Sequence, residues 1–406
     1  MTRDAYLARL VGLWLGLPAD REPPALPDDL AALLLRDEER RSAHRDSSGC
    51  WEFPFSDNFH RGRLFEPEID AWLADQRRRL SSDGVRLEPL WPGGHAFALA
   101  LSHDVDELSH QVTVRQWLRA TRLRLAVDGG RTRLRAVVAG LPVSLWQLRQ
   151  VRPAPDLTAT IERALAVEAE LGVRASWFFT VWPCRRPHPV DCVYSLDEPC
   201  RFEGRVQSVR DVVGAVADRG HEVGLHGSFA SALEADLLAC EAKALAAASG
   251  RPIRSTRQHW LHWRVDHTPA LQESAGLAVD GTLGFNNSPG FRAGTSLPFP
   301  LWDGRHEREV DVLAVPMSMM DVALFRPGAM GLDLALALSL ADRLLDRVAG
   351  LGGLLSLLIH PSHLIDPRVE ALLRHVVAKA MGSGAWVATH GEIRDHWDRR
   401  AAMLGY

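Results

Sequence analysis

From residue 157 onward the chain repeats one unit, a helical stretch closed by glycine and followed by a short apolar stretch. The spacing predicts a helix over 157–171 ended by Gly172 and a strand over 175–181, then a helix over 209–219, Gly220 and a strand over 222–226. A third unit has a helix over 233–248, Gly250 and a strand over 253–259. Further strands are expected near 278–282, 310–316, 354–360 and 385–388, with helices over 332–348 and 368–381 before the last two. Glycine suits a helix end because it takes left-handed backbone freely. Parallel strands need crossovers long enough for a helix, so a succession of such units makes a parallel sheet covered by helices. The expected fold class is therefore α/β: a distorted parallel (β/α) barrel with seven or eight strands over residues 93–406.

The first strand of that barrel is expected where the uncharged run Phe97-Ala-Leu-Ala-Leu101 meets Ser102-His-Asp-Val-Asp106. A strand covered on both faces reads as an unbroken apolar run. Residues two apart in a strand face the same side, so Asp104 and Asp106 would share one cavity while His103 and Val105 face away. Carboxylates that close repel unless a cation or a shared proton intervenes, which points to a metal site with a neighbouring base. Barrel chemistry sits at the C-terminal ends of strands. His226, Arg257, His259 and His360 all fall at such ends.

Residues 1–92 read as a helical and irregular segment packed on the barrel, with helices over 4–17, 27–41 and 66–80. The aromatic, turn-rich stretch from Cys50 to Phe59 is expected to pack on the barrel or to cover part of its cleft. Leu10 to Leu17 is apolar, but Asp4 precedes it and Ala19-Asp20-Arg21 offers no convincing cleavage site, so a helix is expected here, not a signal peptide. No run of eighteen apolar residues occurs, so no spanning helix is expected. The stretch 110–155 breaks the pattern as a basic helical insert: nine arginines, from Arg115 to Arg152, face the single acid Asp128 and alternate with Trp117, Leu118, Leu145 and Trp146. Such helices pack on an acidic face of their own protein or lie on an anionic membrane surface. The formal net charge of -4 gives no reason to expect nucleic-acid binding. Five cysteines without a C-x-x-C pair are expected to be reduced thiols of a cytoplasmic protein, with Cys184, Cys192 and Cys200 as ordinary loop cysteines.

Five of these stretches, in this order, resemble the motifs of the polysaccharide deacetylase superfamily, the NodB-homology, carbohydrate esterase type. Ser102-His-Asp-Val-Asp106 resembles the first motif in its D-x-D form, and Gly220-His-Glu-Val-Gly-Leu-His226 resembles the second. Arg257-Gln-His259 falls where the family carries an arginine motif, Leu358-Ile-His-Pro361 resembles the late L-x-H motif, and Trp386-Val-Ala-Thr-His-Gly-Glu-Ile393 resembles the closing strand. The resemblance runs from about residue 95 to the C-terminus. With the stretch from Gly284 to Thr295 it points to a group associated with cell-surface polysaccharide or lipopolysaccharide biosynthesis.

That resemblance implies a metal-dependent N-deacetylase, hydrolysing the acetamide of an N-acetylated sugar in a polysaccharide or glycolipid precursor. It implies Asp106 and His226 as ligands of a divalent ion, zinc first, with cobalt, nickel or iron as alternatives. Asp104 would be the base, Arg257 its ion-pair partner, and His360 the acid for the leaving amine. The chain departs from the family at Ala230, where a second ligand histidine is usual. His259, two residues after Arg257, is the expected replacement, with Ser228 or Ser231 as weaker candidates. Trp260, Phe291 and Arg292 are the expected substrate contacts. The expected location is the cytoplasm, with 110–155 as a candidate for peripheral contact with the inner face of the membrane; the oligomeric state is left open. Two other readings stand beside this one: a catalytically inactive glycan-binding or scaffold protein, and a related C–N hydrolase acting on a small cyclic amide.

Overall fold

The structure is a computed structural model that describes residues 1–46, 48–125, 142–182 and 187–406. The middle of the basic insert, with Asp128, Arg131, Arg133 and Arg135, lies outside the described residues, as does Cys184.

Twelve strands are present among the described residues: β1 (Phe97–Val105), β2 (Ser176–Thr180), the hairpin β3 (Pro199–Phe202) and β4 (Arg205–Ser208), β5 (Glu222–Gly227), β6 (Ser255–Gln258), β7 (Val279–Asp280), β8 (Phe299–Asp303), β9 (Arg308–Ala314), β10 (Met319–Met320), β11 (Leu354–Leu358) and β12 (Ala385–Ala388). The main sheet runs β10-β11-β1-β2-β5-β6-β7-β9-β8, with β12 added beside β1. Every pair in it is parallel except β8 with β9. One edge of β1 is shared: β12 takes Phe97–Ala100 and β2 takes Ser102–Val105.

The two ends of this sheet meet through one extended run of chain. β9 pairs with β7, and beyond it Val315 N donates to Asp280 O at 2.8 Å and Met317 N to Leu283 O at 2.8 Å. Ser318 N then donates to Ser356 O at 3.1 Å and β10 pairs with β11. The result is the distorted parallel α/β barrel expected, closed by a run that crosses from one neighbour to the other. Helices Arg163–Leu171, Val209–Asp218, Ala235–Ser249, Leu334–Leu351 and Pro367–Gly382 lie where the periodicity puts them. Gly172 and Gly250 end two of these in left-handed backbone, at φ 68° and 67°. The hairpin β3–β4, β8, β10 and the helix His390–Leu404 were not expected.

Alternation in the strands sorts side chains into two cores. Leu99, Leu101, Trp177, Phe179 and Leu225 pack outward under the helices. Ala98, Ala100, Leu354 and Ala388 are small or apolar residues at the barrel floor, where they meet Tyr6, Leu10 and Trp14 of the first helix, Arg3–Leu15. The Trp14 indole N–H donates to Pro298 O at 2.9 Å and the Tyr6 hydroxyl to Pro300 O at 2.5 Å, so both large rings are buried with their polar atoms satisfied. Each such ring contributes about 1.5–3 kcal/mol by leaving water. The N-terminal helix thus shares a core with the barrel floor. Helix Glu68–Ser82 also forms, whereas the helix expected over 27–41 is two pieces, Asp28–Leu34 and Asp37–Arg41, broken at Arg36 with φ 58°.

Candidate active site

The barrel interior is built in polar layers that rise toward the strand C-termini. At the lowest of these, Glu222 accepts from Ser176 Oγ at 2.6 Å, from the Ser255 hydroxyl and from Gly391 N at 2.9 Å. Above it, Gly224 leaves room for Phe178, whose ring lies 4.6 Å from the Arg257 guanidinium. Arg257 is fully buried and donates Nε to Gly281 O at 2.8 Å and Nη1 to Ser102 Oγ at 3.0 Å and Asp104 Oδ1 at 2.8 Å. Its Nη2 faces His390 Nε2 at 3.5 Å. Burial and the adjacent Arg257 charge hold the His390 imidazole well below its ordinary value, so the ring is neutral and accepts.

At the mouth, three atoms from three strand ends converge. Asp106 Oδ1 lies 3.0 Å from His226 Nε2 and 3.3 Å from His259 Nδ1, and the two nitrogens are 2.8 Å apart. The second nitrogen of His259, Nε2, donates to Val190 O at 2.7 Å. Burial opposes protonation, but Cys192 and Asp106 raise the ring well above its ordinary value, and once the ring is deprotonated, as metal binding requires, Nδ1 carries the lone pair turned inward. Burial alone would raise the Asp106 carboxyl, but the His259 and His226 imidazoles hold it well below the usual range. Donors about 2.0–2.2 Å from a divalent ion stand roughly 3–3.5 Å from each other. The two distances to Asp106 Oδ1 fall in that range, and the two imidazole nitrogens, at hydrogen-bond distance of 2.8 Å, would move slightly apart to share an ion. The donor set, one carboxylate and two imidazoles, suits a transition-metal ion. Cys192 adds a thiol, its Sγ 3.7 Å from Asp106 Oδ1 and 3.8 Å from His259 Nδ1. Burial first, with the Asp106 charge, pushes that thiol up to about 12.

Across the cleft stands a second group. His360 Nδ1 donates to Asp321 Oδ1 at 2.7 Å, and its Nε2 faces Asp106 Oδ2 at 3.7 Å. His363 Nδ1 donates to the other oxygen of Asp321 at 2.9 Å. Burial opposes protonation of His360, but Asp321 wins and raises the ring to about 9. The same contacts hold Asp321 well below the usual carboxylate range. Asp321 was missed from the sequence because β10 is only two residues long and carries no periodicity; its one signal is an acid directly after Met319-Met320.

Two cavities of about 250 Å³ each open from this centre and share Asp106, His259 and Trp260 in their walls. One contains Asp104, His226, His360, His363, Asn286 and Arg326, and the N-terminal segment closes part of it with Asp46 and Glu52. The other runs under helix Val114–Leu125 and along Pro189 to Tyr194. Trp260 stands in the dividing wall, partly exposed, and with Leu261 holds left-handed backbone at φ 59° and 48°. Asn286 Nδ2 at 3.0 Å and Cys50 Sγ at 3.5 Å donate to the Trp260 carbonyl and help hold this unusual conformation.

Two expected substrate contacts are elsewhere. Phe291 is 1% exposed and belongs to the apolar core, and its neighbour Arg292 is buried against the N-terminal segment. Arg292 donates Nε and Nη2 to the two oxygens of Glu39 at 2.9 and 2.8 Å, and Nη1 to Gly284 O at 3.0 Å. Arg36 closes the cluster on Glu39 at 2.7 Å. Neither Phe291 nor Arg292 borders the cleft, because the stretch from Gly284 to Thr295 folds inward to receive the N-terminal segment. His103 is a satisfied structural histidine between Glu168 at 2.8 Å and Ile359 O at 2.9 Å. Ser231 donates its hydroxyl to Ser228 O at 2.8 Å, next to Ala230 in a short turn. Cys192, read as an ordinary loop cysteine, is instead beside the three converging atoms.

No protein-family model matches the sequence, and no curated protein matches it. Solved structures do. A candidate polysaccharide deacetylase from Mycobacterium smegmatis is 20% identical over 78% of this chain and 96% of its own, with a TM-score of 0.49. A candidate polysaccharide deacetylase from Pseudomonas aeruginosa is 16% identical over 79% of this chain and 97% of its own, with a TM-score of 0.48. PuuE allantoinase is 15% identical over 79% of this chain and 95% of its own, also at 0.48. The barrel itself is established by its own strand order and pairing.

Proposed function

We propose that the chain is a metal-dependent N-deacetylase acting on an N-acetylated sugar in a polysaccharide or glycolipid precursor. The observation that carries this reading is the placement of a buried Asp104–Arg257 pair on one side of the Asp106, His226 and His259 triangle and the His360–Asp321 pair on the other. Asp106, His226 and His259 would hold a divalent ion, which when bound supplies Lewis acidity at the cleft. Asp104 commits Oδ1 to Arg257, leaving Oδ2 to take a proton from the attacking water. Arg257 keeps that carboxylate ionised and fixes its plane. His360, protonated at neutral pH through Asp321, presents Nε2 toward the cleft and would protonate the departing amine. Trp260 borders both cavities and would lie against the sugar ring.

The test is acetate release by purified protein loaded with zinc or cobalt, against a panel of N-acetyl sugars and lipid-linked glycans. Turnover that requires the metal supports the assignment. Release from none of the panel, with metal bound, would sink it.

The reading extends to a cytoplasmic protein working at the inner membrane face. The insert exposes Val114, Leu118, Leu145 and Trp146 together with Arg115, Arg122 and Arg149, an apolar and cationic mixture that fits an anionic lipid surface. Co-flotation with phosphatidylglycerol vesicles, but not with phosphatidylcholine vesicles, is expected. Equal behaviour with both would remove the membrane part of the proposal.

A further inference from the structure

We infer that Cys192 is a fourth protein ligand of the ion, standing in for the histidine that position 230 lacks. The inference rests on the metal reading above and adds a sulfur donor to it. Four ligand atoms, from Asp106, Cys192, His226 and His259, lie within 4.8 Å of one another. The sulfur stands 3.7 Å from Asp106 Oδ1 and 3.8 Å from His259 Nδ1. With metal–sulfur bonds of about 2.3 Å and metal–nitrogen or metal–oxygen bonds of about 2.1 Å, tetrahedral donors are separated by roughly 3.6 Å, close to both values.

The segment that carries Cys192 is built into the site on both sides of it. Val190 O accepts a hydrogen bond from His259 Nε2 at 2.7 Å, the bond that turns His259 Nδ1 inward. Asp191 Oδ1 accepts from Phe229 N at 2.8 Å, just past β5. Tyr194 hydroxyl donates to Val105 O at 2.8 Å and accepts from Thr180 N at 3.0 Å, tying the segment to the ends of β1 and β2. The residues before and after Cys192 therefore contact the strands that supply the other three ligands. The thiol itself is 8% exposed, and among the described residues its sulfur has no better partners than these ligand atoms.

On binding, the S–H bond breaks, its proton leaves to solvent and a sulfur–metal bond forms. A thiolate beside two imidazoles selects zinc or cobalt over magnesium or calcium. Four protein ligands also fill a tetrahedral shell, so an amide substrate must enter at a fifth position or displace the sulfur.

The experiment is to strip the full-length protein of metal, reload it with cobalt(II), and record metal content and absorption together. One cobalt per chain with an intense near-ultraviolet sulfur-to-cobalt band is expected. In Cys192→Ser and Cys192→Ala that band should vanish while cobalt still binds, and in Cys200→Ser, a buried thiol outside the site, it should persist. Stoichiometric cobalt without the band, or a band that survives both Cys192 variants, would overturn the thiolate ligand and leave the three-ligand metal reading standing. A parent protein that takes up no cobalt would overturn both.

Discussion

In the proposed reaction Asp104 and His360 would divide the work of moving protons, and their surroundings differ in a measurable way. Asp104 is ion-paired through one oxygen to a fully buried arginine. Asp104→Asn keeps the shape but removes the base, so turnover should fall by about 10²–10⁴-fold with metal content unchanged. Loss of metal in that variant would instead place Asp104 among the ligands. His360 is held at about 9 by Asp321, so it stays protonated through neutral pH and loses its proton as pH rises through about 9. The rate should therefore decline on the alkaline side near that value. In Asp321→Asn the limb should move down toward an ordinary imidazole, about 6.5, as read from a pH–rate profile. The sign for stability is the same: the raised His360 contributes fully below the unfolded pKa, and its share is lost as pH climbs through about 9.

At the level of elements, the stretch from Gly284 to Thr295 acts as a receptor for the N-terminal segment. Burial opposes ionisation of Glu39, yet Arg292 and Arg36 hold its carboxyl at about 2. Arg292→Ala leaves Glu39 and Arg36 in a dry pocket with one partner removed, so stability should drop by about 3–5 kcal/mol in urea unfolding. The KM of the folded variant should be unchanged, since Arg292 does not border the cleft. A second element-scale case is β5, where a methyl on Gly224 would sit 2.5 Å from Phe178 Cε1 and 3.1 Å from Ser255 O. Gly224→Ala should cost about 1–3 kcal/mol and disturb Arg257 through the displaced ring. Here the limits of sequence reading are visible. The unbroken run of β1 and the inward placement of Asp104 and Arg257 follow from strand geometry, whereas His259 starts the turn just past β6. Asp321 and Cys192 do not follow from it, because their segments have no periodicity and reach the site only through tertiary pairing. Arg292 misleads for the converse reason: an arginine in a glycine-rich loop near a barrel mouth looks exposed until the partner that buries it, far away in sequence, is known.

Across the whole molecule, the first helix and the barrel floor share one core, with Tyr6, Leu10 and Trp14 beneath Ala98 and Ala100. The N-terminal segment should therefore unfold together with the barrel. Trp14→Ala is expected to lower stability by about 3–5 kcal/mol in one cooperative transition, by intrinsic fluorescence and circular dichroism alike. Two separated transitions would mean that the segment is an independent unit.

The pairing of β1 has a consequence for synthesis. This strand leaves the ribosome ahead of every other barrel strand, yet β11, which takes Ala98–Ser102 on one edge, and β12, which takes Phe97–Ala100 on the other, are among the last to be made. Until they arrive only Ser102–Val105 can find a partner, in β2, and a highly apolar edge is open to wrong neighbours. A chain cut short before β11 would carry Asp104, Asp106, His226 and His259 but neither His360 nor a closed ring to hold them. Prematurely ended copies would thus lack the proposed acid as well as being sticky, and the proposed reaction would begin only when translation has all but finished.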